Sequence, residues 1–336
     1  MRIVLDAMGS DSAPAPDVEG AVWAARDFGE TIILVGDAER VRAELAKHKA
    51  DGLPIEVVHA ASVVTTHDKP SQVGKTKRDS SMAVGLDLVR DGKADAFVTA
   101  GNTGAVLALA TLSTLRRISG VKRPCIASLI RLGDKTIILT DLGANADARP
   151  EWLVQFGAMA SLYSQHVLGR ERPTVALLSN GEEESKGNTL VKEATALFPV
   201  SGLNFIGNIE PKDMLRGAAD VIVTDGFVGN IALKSMEALG DTLFGLIRTN
   251  IAGGGLRVKL GALLVAPALR AVYRQVDVFE TGGAPLLGVN GVVIIGHGRT
   301  NAKGIRNAIG QARAAVQGDI IRVLREGMAK FEPEST

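Results

Sequence analysis

Six segments of this 336-residue chain combine glycine with neutral hydrogen-bond donors, a pairing that can hold an anion without a metal. They are LDAMGSD (5–11), VTAGNTGA (98–105), LTDLGANAD (139–147), LLSNGEEESKGN (177–188), IVTDGFVGN (222–230) and IIGHGRTNAKG (294–304). Each follows a short apolar run and leads toward a helical pattern. Glycine lets the backbone approach a ligand closely, and Asn, Ser and Thr add uncharged donors. A helix N-terminus offers unpaired N–H groups at the positive end of its dipole. A helix cap explains any one of these turns equally well. Capping alone does not require Lys186, Lys303, Arg299, Asn188 and Asn230 in the same loops. Six such loops on one sheet edge predict a shared anion-binding cleft at the carboxyl ends of strands.

Other chemistries lack their signatures. There is no GxxxxGK(S/T), no GxGxxG after a strand and no GxSxG, so P-loop, dinucleotide and nucleophile-elbow sites are unsupported. The five histidines show no HExxH and no metal-ligand spacing with cysteine. His297, inside a candidate loop, is the one read as a possible ligand contact. Glu182-Glu183-Glu184 suits a metal less well than a solvated first helical turn. Neither a metal nor a cofactor is expected. Cys125 follows Pro124 at a strand entrance and reads as packing, not as a nucleophile.

Positioning these loops requires alternating strands and helices. Strands are predicted at 3–7, 31–35, 55–58, 96–99, 126–130, 136–140, 174–178, 204–206, 221–224 and 292–295, with amphipathic segments between most of them. Asp37 is placed to cap a helix through Leu45, and Ser80 or Ser81 one through Val89. Asn301 is placed to open a last long helix through Leu324. This alternation predicts an α/β fold, a three-layer α/β/α sandwich around a mostly parallel, doubly wound sheet. Gly133-Asp134 predicts a hairpin that makes part of the sheet antiparallel. A 46% hydrophobic, aromatic-poor composition suits such a core. The expected organisation is one catalytic domain over 1–331, or two lobes sharing one sheet, with a helical hairpin inserted at 253–276 and a tail at 332–336.

A net charge of +1, without aromatic–basic interleaving, argues against nucleic acid. One cysteine permits no internal disulfide and suits a reducing cytosol. The first residues read directly as a strand, not as a signal peptide, and no uncharged apolar stretch has the length of a membrane span. The segment LRVKLGALLVAPALRAVYRQ (256–275) stands apart. Leu256, Leu260, Leu263 and Leu264 fall on one helical face, bracketed by Arg257 and Lys259 on one side and Arg270 and Arg274 on the other. Gly261 and Pro267 suggest a broken helix or hairpin. The segment fits core packing, contact with anionic lipid, a dimer-formed hairpin tip, or attraction of an acidic carrier protein.

Taken together, DAMGSD, TAGNTGA, TDLGANAD, NGEEESKGN, VTDGFVGNIALK, GGAPLLGVNG and GRTNAKGIRNAI resemble the bacterial phosphate acyltransferase (PlsX) family, in order and over nearly the whole chain. Ser10 stands where the family usually has a second glycine, and Thr281 where an aromatic is common. The resemblance implies a sandwich similar to isocitrate and isopropylmalate dehydrogenases and to phosphotransacetylases. It implies transfer of a fatty acyl group from acyl carrier protein to inorganic phosphate, giving an acyl phosphate for phospholipid synthesis. It also implies a homodimer, a cytoplasmic enzyme peripherally associated with membrane, no cofactor, and a product passed to a membrane glycerol-3-phosphate acyltransferase.

For that reaction phosphate is itself the nucleophile, so the protein must supply position and positive charge. Lys186 is assigned to phosphate or the developing oxyanion, and Asn230 to the thioester oxygen. Asn102, Thr103 and Asn188 hold phosphate, with backbone N–H groups of Gly101 and Gly104. Asn145, Asn301 and Lys303 complete the rim, and Ser10 contributes from the first loop. Asp11 and Asp225 orient donors or simply form turns. Alternatives are an acetyl-coenzyme A phosphotransacetylase, a decarboxylating dehydrogenase, whose nicotinamide and metal motifs are missing, and a non-catalytic peripheral membrane scaffold.

Overall fold

The computed structural model describes residues 1–276 and 280–331, with the side chains of residues 270 and 273–276 outside that description. The side chains of Arg270 and Arg274, and the tail expected at 332–336, therefore lie outside the description. The strands are β1 (Arg2–Asp6), β2 (Thr31–Gly36), β3 (Ile55–His59), β4 (Ala96–Thr99), β5 (Cys125–Leu132), β6 (Lys135–Thr140), β7 (Thr174–Leu178), β8 (Asn204–Ile209), β9 (Val221–Val223), β10 (Ala284–Leu287) and β11 (Val292–Ile295). The helices are α1 (Ala15–Phe28), α2 (Ala38–Leu45), α3 (Pro70–Thr76), α4 (Ser81–Arg90), α5 (Thr103–Ala108), α6 (Pro150–Val167), α7 (Thr189–Leu197), α8 (Pro211–Met214), α9 (Gly226–Gly253), α10 (Leu256–Val276), α11 (Ala302–Gln317) and α12 (Ile320–Ala329).

The described strands join into one 11-stranded sheet in the order β3-β2-β1-β4-β11-β10-β5-β6-β9-β7-β8. Side chains alternate across it, so Ile3 and Leu5 enter one core layer while Val4 enters the other. Both faces are therefore apolar, as a sheet covered on both sides requires. α1, α6, α11 and α12 pack on one face; α4 and α5 pack on the other. This is the predicted three-layer α/β sandwich.

Direction, however, is not uniform. β3, β2, β1, β4 and β11 are mutually parallel, and so are β6, β9, β7 and β8. β10 is antiparallel to β11 and β5, and β5 is antiparallel to β6 across the Gly133 hairpin. The two parallel halves consequently run in opposite directions. The single edge expected for all six loops is therefore two: loops after β1, β4 and β11 belong to one half, those after β6, β7 and β9 to the other. The halves nonetheless end near the same level. Ile295, the end of β11, pairs with Ala284 of β10, and β10 pairs Leu286 with Ile126 of β5. Ala127 of β5 pairs with Thr140, the end of β6.

β10 was not predicted, because Pro285 within four residues flanked by glycine argues against a strand. The helix expected from Asn301 to Leu324 is broken at Gly318 and Asp319, where Asp319 has φ 48°. A Cβ at Gly318 would lie 2.8 Å from the His166 carbonyl oxygen, so only glycine allows this close approach to the end of α6. Asp37 and Ser80 cap α2 and α4 as predicted.

The hairpin expected at 253–276 is wider than that segment. Its bend is at Gly254–Gly255; α9 is one arm, and α10 continues through Pro267 as the other. Leu256, Leu260, Leu263 and Leu264 are 75, 54, 72 and 85% exposed, with Arg257 and Lys259 exposed beside them. Core packing within the chain is therefore the wrong reading of this segment. No described helix is long and apolar enough to cross a membrane.

Candidate active site

The loops of the first half are tied together by backbone and buried polar groups. The Asp6 carboxylate accepts from the Met8 N–H and from Thr99 Oγ1, joining β1 to β4. Thr99 Oγ1 also accepts from the Gly101 N–H, and Gly9 lies against that amide so closely that a Cβ there would be 2.9 Å away. The Asp11 N–H donates to the Gly298 carbonyl at 2.8 Å, adding the loop after β11. Ser10, Asp11, Gly101, Asn102 and Asn301 are thereby brought to one place in the fold.

Their side chains are largely occupied. Ser10 is buried and its hydroxyl donates to the buried Asp17 carboxylate, so it does not face a ligand. Burial pushes the Asp17 carboxyl up to about 7, with the nearby Asp6 charge adding to the shift. Asp6 is raised by burial as well. Asn102 caps α5 through Oδ1 and donates its amide to the Thr65 carbonyl. Asn301 caps α11 by accepting from the Gly304 N–H at 3.0 Å. Lys303 is ion-paired with Glu280. Pro70 packs over Gly104.

The second half is organised around Asp141, a residue sequence reasoning passed over. Its Oδ1 accepts from the Ile126 and Ala144 N–H groups, and its Oδ2 from the Asn145 N–H and Nδ2. Burial raises its pKa, against the pull of these bonds. Asn145 is itself buried and donates to the Pro124 carbonyl, so it braces the loop instead of forming a rim. Asp225 caps α9, accepting from the Phe227 and Val228 N–H groups at 2.9 Å, so its turn-forming reading holds. A Cβ at Gly229 would lie 2.0 Å from the Asp141 carbonyl oxygen, so the first turn of α9 presses directly on this loop.

That contact sets Asn230 beside Gly143, half-buried and without a side-chain hydrogen bond among the described residues. In the loop after β7, Asn188 caps α7 through Oδ1, and Asn180 accepts from the Gly187 N–H. Lys186 is exposed and makes no ion pair among the described residues. Its stem lies over Gly181. Neither a hydrogen bond nor an ion pair among the described residues joins Lys186 to Asn230 or Asn102. Glu182, Glu210 and Asp213 cluster at metal-ligand spacing, but the Lys212 ammonium bridges Glu182 and Glu210. Cys125 is fully buried, and burial pushes its thiol far up, which fits packing and not nucleophilic use.

An apolar cavity of about 250 Å3 lies where the halves meet. Ile126, Ser128, Leu129, Ile130, Arg131 and Leu132 of β5 form one wall, Leu233, Met236 and Glu237 of α9 another. Leu142 comes from the loop after β6; Thr103, Gly296 and His297 come from loops of the other half. Burial raises the Glu237 pKa, opposed by His297 and Arg299. Arg299 also faces Asp241 at 3.8 Å, linking α9 to the loop after β11. Which face of β5 borders open space was not legible in its sequence.

Residues 1–323 match the family model described as "Fatty acid synthesis protein". The chain is 47% identical to phosphate acyltransferase of Geobacter sulfurreducens, over 100% of this chain and 96% of that one. Among solved structures it resembles EutD phosphotransacetylase from Staphylococcus aureus (TM-score 0.58, 19% identity, 94% of each chain). It also resembles 4-hydroxythreonine-4-phosphate dehydrogenase from Klebsiella pneumoniae (TM-score 0.51, 16% identity, 94% of this chain and 99% of that one). At these identities the structural likeness concerns the fold.

Proposed function

Since this chain belongs to the fatty acid synthesis protein family, the phosphate acyltransferases, and is an acyltransferase that uses phosphate as acceptor, we propose that its donor is a fatty acyl thioester of acyl carrier protein and its product an acyl phosphate. The similarity to a phosphate acyltransferase along the full chain carries this reading. A phosphate oxygen attacks the thioester carbonyl, the carbon–sulfur bond breaks, and the thiolate leaves. A thiol pKa of roughly 8.5 makes that leaving group stable with little acid help. No protein nucleophile enters the sequence of bonds.

Asn230 supplies an uncommitted amide for the oxyanion, and Lys186 an uncommitted ammonium for phosphate. Asn188, Asn301 and Asn102 hold helix N-termini open toward the anion. In α7 and α11 the cap uses Oδ1, which leaves Nδ2 as donor. Thr103, Gly101, Gly104 and Lys303 belong to the same anion-facing set, and Asp11 orients donors beside them. The protein acts as a homodimer at the cytoplasmic membrane surface and passes its product to a glycerol-3-phosphate acyltransferase in the membrane. The exposed leucines of α10 support contact with anionic lipid, and the basic residues beside them support attraction of the acidic carrier.

Release of free thiol from acyl carrier protein thioesters, with and without phosphate, tests the reaction. Phosphate-dependent release is expected, and release from acetyl-coenzyme A alone would replace this reading with the short-chain one. Leu263→Glu with Leu264→Glu is expected to abolish binding to anionic vesicles while sparing catalysis in solution. Unchanged sedimentation with vesicles would remove the lipid contact.

A further inference from the structure

We propose that the cavity between β5 and the first turns of α9 binds the hydrocarbon chain of the donor, and that Ser128 and Met236 set the chain length it accepts. This rests on the acyl-transfer reading. Period-two alternation puts Ile126, Ser128, Ile130 and Leu132 on one face of β5, and all four line the cavity, together with Leu129 and Arg131. Ser128 is the small member of that row, partly exposed, and its hydroxyl makes no hydrogen bond among the described residues. Met236 and Leu233 face the same space from α9 and are only partly covered. The protein thus leaves apolar side chains unfilled on both walls.

One end of this space lies at the proposed reaction centre. Asn230, Leu233 and Glu237 recur at helical spacing on one side of α9. Leu233 and Leu142 are both in the cavity lining, and Leu142 adjoins Gly143, the residue against which Asn230 packs. From Ile126 the row on β5 leads away to Leu132, roughly 20 Å at about 3.3 Å per residue. The cavity, about 250 Å3, has room for several methylenes of an acyl chain. An acetyl group would leave most of it empty.

Kinetics of phosphate-dependent thiol release on short-, medium- and long-chain acyl carrier protein thioesters test the assignment, with wild type, Ser128→Phe and Met236→Ala. Each methylene kept out of the cavity should lower kcat/KM about fourfold. Ser128→Phe is expected to lower the long-to-short ratio of kcat/KM by about tenfold or more, and Met236→Ala to move the optimum to longer chains. Displacement of bound cis-parinaric acid, a fluorescent fatty acid, gives a readout independent of turnover; Ser128→Phe should weaken its binding about tenfold. An unchanged chain-length profile and unchanged parinarate affinity in both variants, with transfer intact, would overturn the cavity assignment alone. Absence of phosphate-dependent release in wild type, with parinarate affinity still dependent on Ser128, would overturn the acyl-transfer reading and leave the apolar site standing.

Discussion

In the first half of the sheet Ser10, Asn102 and Lys303 are engaged by the protein itself; in the second half two candidate side chains have no partner among the described residues. Ser10 turns inward to Asp17, Asn102 spends both ends of its amide, and Lys303 is ion-paired. Asn230 and Lys186 have no such partners among the described residues. The buried carboxylates differ in the same sense. Asp141 accepts four hydrogen bonds, whereas Asp17 accepts one from a side chain and its Oδ1 has no partner among the described residues. The first half thus offers a fixed wall of backbone and capped helices. The second offers uncommitted donors held by a well-satisfied loop. Chemistry that develops charge needs donors not already engaged, so the second half should carry the larger share of catalysis.

The sharpest break in that comparison comes from Asn230→Ala and Lys186→Ala. Each should lower kcat by about a hundredfold or more with an unchanged thermal transition, measured by steady-state thiol release and calorimetry. Near-wild-type turnover in both would move the chemistry elsewhere. Asp141→Asn should cost about 2–4 kcal/mol in urea denaturation, because an amide then faces backbone N–H donors. A stability change below 1 kcal/mol on the order of a surface substitution would show that the loop does not depend on this carboxylate.

Asp17 gives the opposite sign of pH response from a salt-bridged carboxylate. Its folded pKa, about 7, lies above the unfolded value. The stability it contributes is therefore full below about pH 4 and is lost as pH rises through about 7. Asp17→Asn should flatten the fall in melting temperature across that window, with the other carboxyls raised by burial, Asp6, Asp141 and Glu237 among them, contributing to what slope remains. An unaltered slope would mean that the carboxyl is ionised at neutral pH in the fold. Asn102→Ala should do least: about 1 kcal/mol for a lost helix cap, with less than tenfold loss of kcat. A loss as large as that of Asn230→Ala would erase the distinction between the halves.

Much of this was legible in the chain itself. Period-two and helical patterns are local, so ten of the strands and the caps at Asp37, Ser80 and Asn301 follow from neighbouring residues. The glycine- and asparagine-rich loops are local too, and their order marks the family. What lies beyond reach of local pattern is direction, closure and competition for donors. β10 reverses the sheet although Pro285 argues against a strand, because its neighbours on both sides supply the pairing. Asp141, an acidic residue in a turn by sequence, is an anchor only because Ile126 and Asn145 come to it in the fold.

The sequence by itself determined the α/β class, the anion-suited loops and the amphipathic character of 256–264, since each depends on residue type and short-range spacing. Tertiary structure alone decided that these loops occupy two opposed halves and that a cavity opens along β5 beneath α9. It also decided that Ser10, Asn102, Asn145 and Asp225 are committed to the protein while Asn230 stays available. A hydrogen-bonding group has few partners to give, and which ones it gives is settled only when distant segments compete for it in a packed interior.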